Sequence, residues 1–327
     1  MVAWHSADSR RLASRSAMLR TASGLPSALR LTAVAWLAVP VALAAQPDAA
    51  PPYAPSRVAW SELGYVGSKL GVRAESEVHF EMLPAAACRS RLVEPSDAET
   101  DGRRAVALAG ERVASVVIDT SLRGTRTVSE LLLNPANAAA YQRAQVSTSR
   151  KRSFRRVYRY LTDGVFVRRQ MPEDPTGEPL DWPVSNSRVI DFPDGVGDGD
   201  AVTEAMAIFY MLSAADFHRV GDSLRFTNFD RDGMTEMVMT VENLEPWKVD
   251  YEEVSAAGTR RVRETRTVAH LILSGSALGG DGEYEFLGLR GEIEILADTE
   301  LRVPVAVKGR VPIVGRTTVE VDRVVLR

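Results

Sequence analysis

The densest chemistry-bearing residues in this chain are arginines. Arg150, Lys151, Arg152, Arg155, Arg156 and Arg159 crowd one short stretch, and Arg168 and Arg169 follow nine residues later. Guanidinium groups at that density suit an anion such as a phosphate or a lipid head group, because the planar fork matches its oxygens. Between the two clusters stands Asp163-Gly164, a dipeptide that marks a tight hairpin when β-rich runs flank it. The spacing therefore predicts a hairpin of Ser147–Leu161 with Val165–Met171. A two-residue turn sets Thr162 against Val165 and Arg159 against Arg168. Like charges directly opposed destabilise a sheet, so acids from adjacent strands, water or a bound anion must offset them. The candidate anion-binding residues are Arg156, Arg159, Arg168 and Arg169.

Other chemistries find less support. Outside the N-terminal region the histidines are His79, His218 and His270, widely separated, and Cys88 is the single cysteine, so no ligand set has metal-site spacing. Cys88 reads as a buried, inert thiol. The acids Asp194, Asp198 and Asp200, and the run Asp230-Arg231-Asp232-Gly233, resemble the start of a calcium loop. The twelfth position, which needs a bidentate Glu, is Ala205 in one case and Val241 in the other. Gly275-Ser276 lies in a loop-like stretch with neither the G-x-S-x-G of an activated serine nor the Lys-Ser/Thr ending of a phosphate loop. No catalytic motif or cofactor is expected on this reading.

The compartment is more legible. Leu31–Ala45 is an uncharged apolar run preceded by arginines and followed by a Pro/Ala-rich stretch, the layout of a secretory signal. Its 15 residues, interrupted by Pro40, fall short of the roughly 20 of a spanning helix. Ala42-Leu43-Ala44 supplies an A-x-A pattern, so cleavage is expected after Ala44, with Met18 as a more ordinary start. No cysteine follows to carry a lipid. The expectation is a periplasmic protein with residues 1–44 as signal, 45–57 as linker and 58–327 as a single β-rich domain. The 283 residues after the signal hold 35 basic and 42 acidic side chains, a balance that argues against nucleic-acid binding.

The elements that must position these residues read mostly as strands. In Leu70–Met82, Val78, Phe80 and Met82 alternate with Glu77, His79 and Glu81. Ala105–Leu108, Val113–Thr120 and Thr125–Leu133 follow, Val93–Arg104 reads as an acidic loop, and Asn134-Pro135 as the start of a short helix. After Gly221 strands resume to Leu326, with Pro304 placing its strand at an edge or bulge. One strong helix is predicted over Ala201–Ala214, capped by Asp200. Ala205, Ile208, Phe209 and Leu212 recur at the spacing of one buried face. The fold class expected is mainly β: a curved antiparallel sheet, an open half-barrel, wrapped around one central helix. Met206, Phe209, Tyr210 and Leu212 are the candidate lining of an apolar groove; a fully packed core is the alternative.

Asp200–Gly233 resembles the middle of an exported bacterial family, domain-of-unknown-function family 3108. There a D-x-x-[ST] step opens an aromatic-rich helix and a G-[DQ] step leads into strands. Gly291 through Asp298, Arg302, Pro304, Val305, Gly309 and Pro312 to Gly315 resembles that family's C-terminal signature. The resemblance implies an architecture similar to the Lol-type half-barrel lipoprotein carriers and brings no catalytic residues. The function expected is a non-catalytic envelope module for a hydrophobic or amphipathic ligand such as a lipid. The alternatives are an adaptor docking an envelope protein through a sheet edge or the arginine-rich hairpin and, third, an enzyme with an unrecognised site.

Overall fold

In the computed structural model, residues 53–327 are described except 70–71, 151, 175–176, 197–200, 231–232, 279–284, 288 and 312–314. The expected signal, linker start and Asp200 cap lie outside the described residues. β-Branched and aromatic residues at every second position make most of the chain strand. In order these are β1 (Trp60–Lys69), β2 (Val72–Pro84), β3 (Arg112–Leu122), β4 (Thr125–Leu133), β5 (Ala140–Thr148), β6 (Phe154–Tyr160), β7 (Gly164–Gln170) and β8 (Val184–Asp191). There follow β9 (Val202–Thr203), β10 (Ser223–Asp230), β11 (Gly233–Ser255), β12 (Gly258–Leu278), β13 (Glu285–Phe286), β14 (Leu289–Asp298), β15 (Pro304–Val311) and β16 (Gly315–Leu326).

They join into one large curved sheet. Its order is β8-β7-β6-β5-β4-β3-β2-β1-β16-β15-β14-β12-β11-β10-β9, with β13 beside β14. Most neighbours are antiparallel. Past a bulge between Val241 and Asn243, the far part of β11 reaches β16, where Glu252–Val254 pair in parallel with Arg323–Val325. That contact closes a ring of β16, β15, β14, β12 and β11, while β8 and β9 remain the open ends of the path. β15 lies inside the sheet, so Pro304 is not at an edge; it sits where the β14–β15 register slips between Leu296 and Ala297, the bulge that a residue without an N–H requires.

The concave face holds a 3₁₀ turn (Ala205–Ala207) running into the helix Ile208–Ala214. This is shorter than the predicted helix, because Val202 and Thr203 pair with β10 as a strand. Every residue of Ile208–Ala214 is buried. A helix apolar on all sides is stable only when enclosed, and the curved sheet encloses it. Three polar ties fix it. Trp60 Nε1 donates to Ser213 Oγ at 2.8 Å, Ser213 Oγ donates to the Arg302 carbonyl at 2.6 Å, and the Tyr210 hydroxyl donates to the Pro135 carbonyl at 2.6 Å.

Residues 85–108 cover part of the convex face. Helices α1 (Ala85–Arg89) and α2 (Asp97–Thr100) interrupt this stretch, and Ala105 makes one bridge to Leu161 rather than a strand. Cys88, Leu83, Leu132 and Tyr141 form a second, outer core there with Leu92, Val106 and Leu108. Burial pushes the Cys88 thiol up, away from the reactive thiolate. Asn134-Pro135 starts no helix: Asn134 Oδ1 accepts from the Ala136 N–H in an Asx turn, which leads straight into β5.

Candidate functional site

Strand β6 reads Phe154-Arg155-Arg156-Val157-Tyr158-Arg159-Tyr160. Period-two alternation sends Phe154, Arg156, Tyr158 and Tyr160 to one face and Arg155, Val157 and Arg159 to the other. The arginines that look like one cluster in the sequence are thus divided by the sheet.

The register of β6 with β7 corrects the expected one. Tyr160 pairs with Val165, Arg159 with Phe166, Val157 with Arg168 and Arg156 with Arg169. Leu161–Gly164 form the connection, with the Leu161 N–H donating to the Gly164 carbonyl at 2.9 Å, and Gly164 already pairs with Asp191 of β8. A two-residue turn needs positive φ at Asp163 and Gly164, and neither has it. Glycine is required here by close approach instead: a Cβ on Gly164 would lie 2.7 Å from the Ile190 carbonyl oxygen. Likewise the Ser147–Leu161 arm divides into the end of β5, a turn, and β6.

On the convex face the acidic stretch neutralises the arginines. Arg168 Nη2 donates to both Glu99 oxygens at 3.0 Å, and Glu99 closes a capping box on the Ser96 N–H. That backbone bond, helped by Arg168, holds the Glu99 carboxyl below the usual range. Arg159 is 2% exposed and donates to the Tyr141 and Val106 carbonyls at 2.9 and 3.0 Å, with Glu94 at 3.7 Å. Arg155 is buried against Gln170, and burial lowers its pKa. Arg159 and Arg168, expected to meet an anionic ligand, are structural anchors of the 85–108 cover.

The concave face carries a different arrangement. A cavity of about 970 Å³ opens between the sheet and the 204–209 segment. Its floor includes Met206, Phe209 and Phe229, and one wall is apolar, from Leu289, Val307, Val311 and Val319 of β14–β16. A band of hydroxyls from Ser76, Thr120, Thr127 and Ser129 crosses β2–β4. The wall from β5–β8 is cationic, with Arg143, Arg156, Arg169 and Arg188. Among the described lining residues the acids are Glu204 and Asp230, against these four arginines.

A ladder of rings and guanidiniums organises that cationic wall. Arg156 and Arg169 each sit 5.5 Å from the Phe154 ring centroid. Arg156 Nη1 donates to the Tyr158 hydroxyl at 3.0 Å, and Arg143 lies 4.1 Å over the Tyr158 ring. Arg143 Nη1 meets Glu204 Oε2 at 2.5 Å, and the Tyr160 hydroxyl donates to Glu204 Oε1 at 2.8 Å. Glu204 is 1% exposed. Burial pushes its carboxyl up to about 7, against the opposing pull of Arg143 and the Tyr160 hydrogen bond. Burial also raises the Tyr160 hydroxyl well above its ordinary range.

Of the four groove candidates, Met206 and Phe209 line the cavity. Tyr210 and Leu212 do not; Tyr210 stacks on Phe80 at 5.5 Å and both belong to the packed core. Of the four anion candidates, Arg156 and Arg169 line it and Arg159 and Arg168 lie on the far face. Sequence reasoning missed Arg143, Tyr158 and Glu204. The inward alternation of Tyr158 and Tyr160 was the available signal; the meeting of Arg143 with Glu204, 61 positions apart, had none. Among the described residues no group of His, Cys, Asp and Glu could hold a metal ion, and no helix is long and apolar enough to cross a membrane. No family model, no curated protein and no solved structure matches this chain.

Proposed function

We propose that this protein is an exported, non-catalytic module that holds a hydrophobic or amphipathic molecule, such as a lipid, in the concave cavity of its sheet. The observation that carries the reading is the cavity itself. Its volume of about 970 Å³ is within the usual range of small-molecule sites, and it joins an apolar wall to polar groups. Met206 and Phe209 belong to the main core and also border this space. The signal-like Leu31–Ala45 run and the family resemblance in Asp200–Gly233 support an envelope setting for that ligand.

The test uses the full-length protein and the neutral fluorescent probe N-phenyl-1-naphthylamine. Saturable one-to-one binding is expected, weakened at least about tenfold, or 1.4 kcal/mol, in Ala205→Trp, which fills the cavity from its lining. Thermal melting of the variant verifies that it still folds. Absence of saturable binding by the wild-type protein would sink the reading.

A second reading, docking of a protein partner at a sheet edge, rests on β8. It ends the sheet path, and Val184–Ser187 and Val184 in particular (53% exposed) face solvent. Terminal strands with open backbone groups are templates for strand addition.

A further inference from the structure

Arg156 and Arg169 are direct cross-strand partners, on the face that lines the cavity. Like charges in that relation repel and destabilise the strand pair unless something offsets them. The outer face of the same hairpin shows the ordinary solution, with Glu99 on Arg168 and Glu94 near Arg159. On the inner face, among the described residues, neither Arg156 nor Arg169 has an acidic partner within salt-bridge distance. What they share is the Phe154 ring, which each approaches to 5.5 Å, so the two guanidiniums stand no more than about 11 Å apart. The Arg169 Nε is a buried donor without an acceptor. Burial, together with the neighbouring Arg152 and Arg156 charges, depresses the Arg169 pKa, the direction expected of a cation lacking its counter-charge.

Neither described lining acid, Glu204 or Asp230, pairs with Arg156 or Arg169. Glu204 is committed to Arg143 and Tyr160. The cavity therefore has a polarity along its width: Leu289, Val307 and Val319 on one side and an uncompensated arginine pair on the other. A neutral apolar ligand can occupy the apolar wall but leaves that half-buried pair without a counter-charge. An anion on a hydrocarbon chain satisfies both walls at once.

We infer that the ligand is an amphiphile with an anionic head group (phosphate, sulfate or carboxylate), seated by Arg156 and Arg169 while its chain lies against the β14–β16 wall. This rests on the cavity-binding reading above and adds the chemical class of the ligand. Charge-assisted hydrogen bonds from guanidinium to such a head are about twice as strong as neutral ones.

Calorimetric titration of the full-length protein with dodecyl phosphate, dodecyl maltoside and inorganic phosphate tests it. Dodecyl phosphate is expected to bind about tenfold or more tighter than dodecyl maltoside. That preference should vanish in Arg156→Gln/Arg169→Gln, with thermal melting verifying that the double variant folds. Arg168→Gln, on the outer face, should keep the preference. Equal affinities for the two dodecyl compounds in the wild-type protein would overturn the head-group assignment and leave the cavity reading standing. Inorganic phosphate binding as tightly as dodecyl phosphate would reduce the site to a free-anion site and overturn the amphiphile. If neither dodecyl compound bound, the cavity reading and this inference would fall together.

Discussion

At the scale of single residues, the buried Glu204 ties stability to pH. Below about pH 4.5 its carboxyl is protonated in the folded and the unfolded chain alike, and the contribution to stability is at its greatest. As pH rises, the unfolded chain releases the proton first, because burial holds the folded carboxyl up to about 7. The contribution therefore declines from about pH 4.5 and is lost by the time pH passes the folded value, a change on the order of 3 kcal/mol. The urea midpoint of Glu204→Gln, which keeps an acceptor for Tyr160, should fall less between pH 4.5 and 7.5 than that of the wild-type protein. Identical slopes would contradict the raised carboxyl. The role of Glu204 was hidden because its neighbours come from β5 and β6, far away in the chain. The division of the arginines was legible by contrast: alternation along Phe154–Tyr160 already assigns Arg156 and Arg159 to opposite faces.

At the scale of elements, the buried helix and the β6–β7 hairpin each hang on one small residue. Ser213 Oγ joins Trp60 Nε1 to the Arg302 carbonyl within the core. Ser213→Ala leaves the indole N–H buried and unpaired, and a loss of about 1–3 kcal/mol in chemical denaturation is expected. A stability unchanged within error would show that the helix is held by packing alone. Gly164→Ala places a methyl group 2.7 Å from the Ile190 carbonyl oxygen. Forcing β7 and β8 apart should cost about 1–3 kcal/mol, and faster hydrogen exchange at β8 amides should localise the damage; an unaltered β8 would contradict this reason for the glycine.

Strands and their faces followed from residue pattern, as Val78 and Phe80 of β2 illustrate, both buried in the main core. The hairpin register did not, because Asp-Gly fits two connections differing by two residues. Both keep the same faces, and only the neighbouring strand β8, crowding Gly164, selects between them. The helix shortened for a comparable reason: Val202 and Thr203 have the local propensity for either state, and pairing with β10 decides it.

At the scale of the whole molecule, the cavity is a product of curvature. Arg169 of β7 and Val307 of β15 stand far apart in the strand order yet border one space, since the sheet bends around the 204–209 segment. No local pattern encodes that closure, which explains why Met206 and Phe209 were placed on the groove from the sequence together with Tyr210 and Leu212, two residues that pack away from it. The central claim is that this space receives an amphiphile. It is tested most directly by labelling the methionine methyl groups of the full-length protein with ¹³C and titrating with dodecyl phosphate. Met206 borders the cavity, whereas Met211 and Met239 are fully buried away from it. The expected result is a saturable shift of the Met206 methyl resonance, with Met211 and Met239 unmoved. A Met206 resonance that stays in place at saturating dodecyl phosphate, or equal small shifts of all three, would contradict the claim.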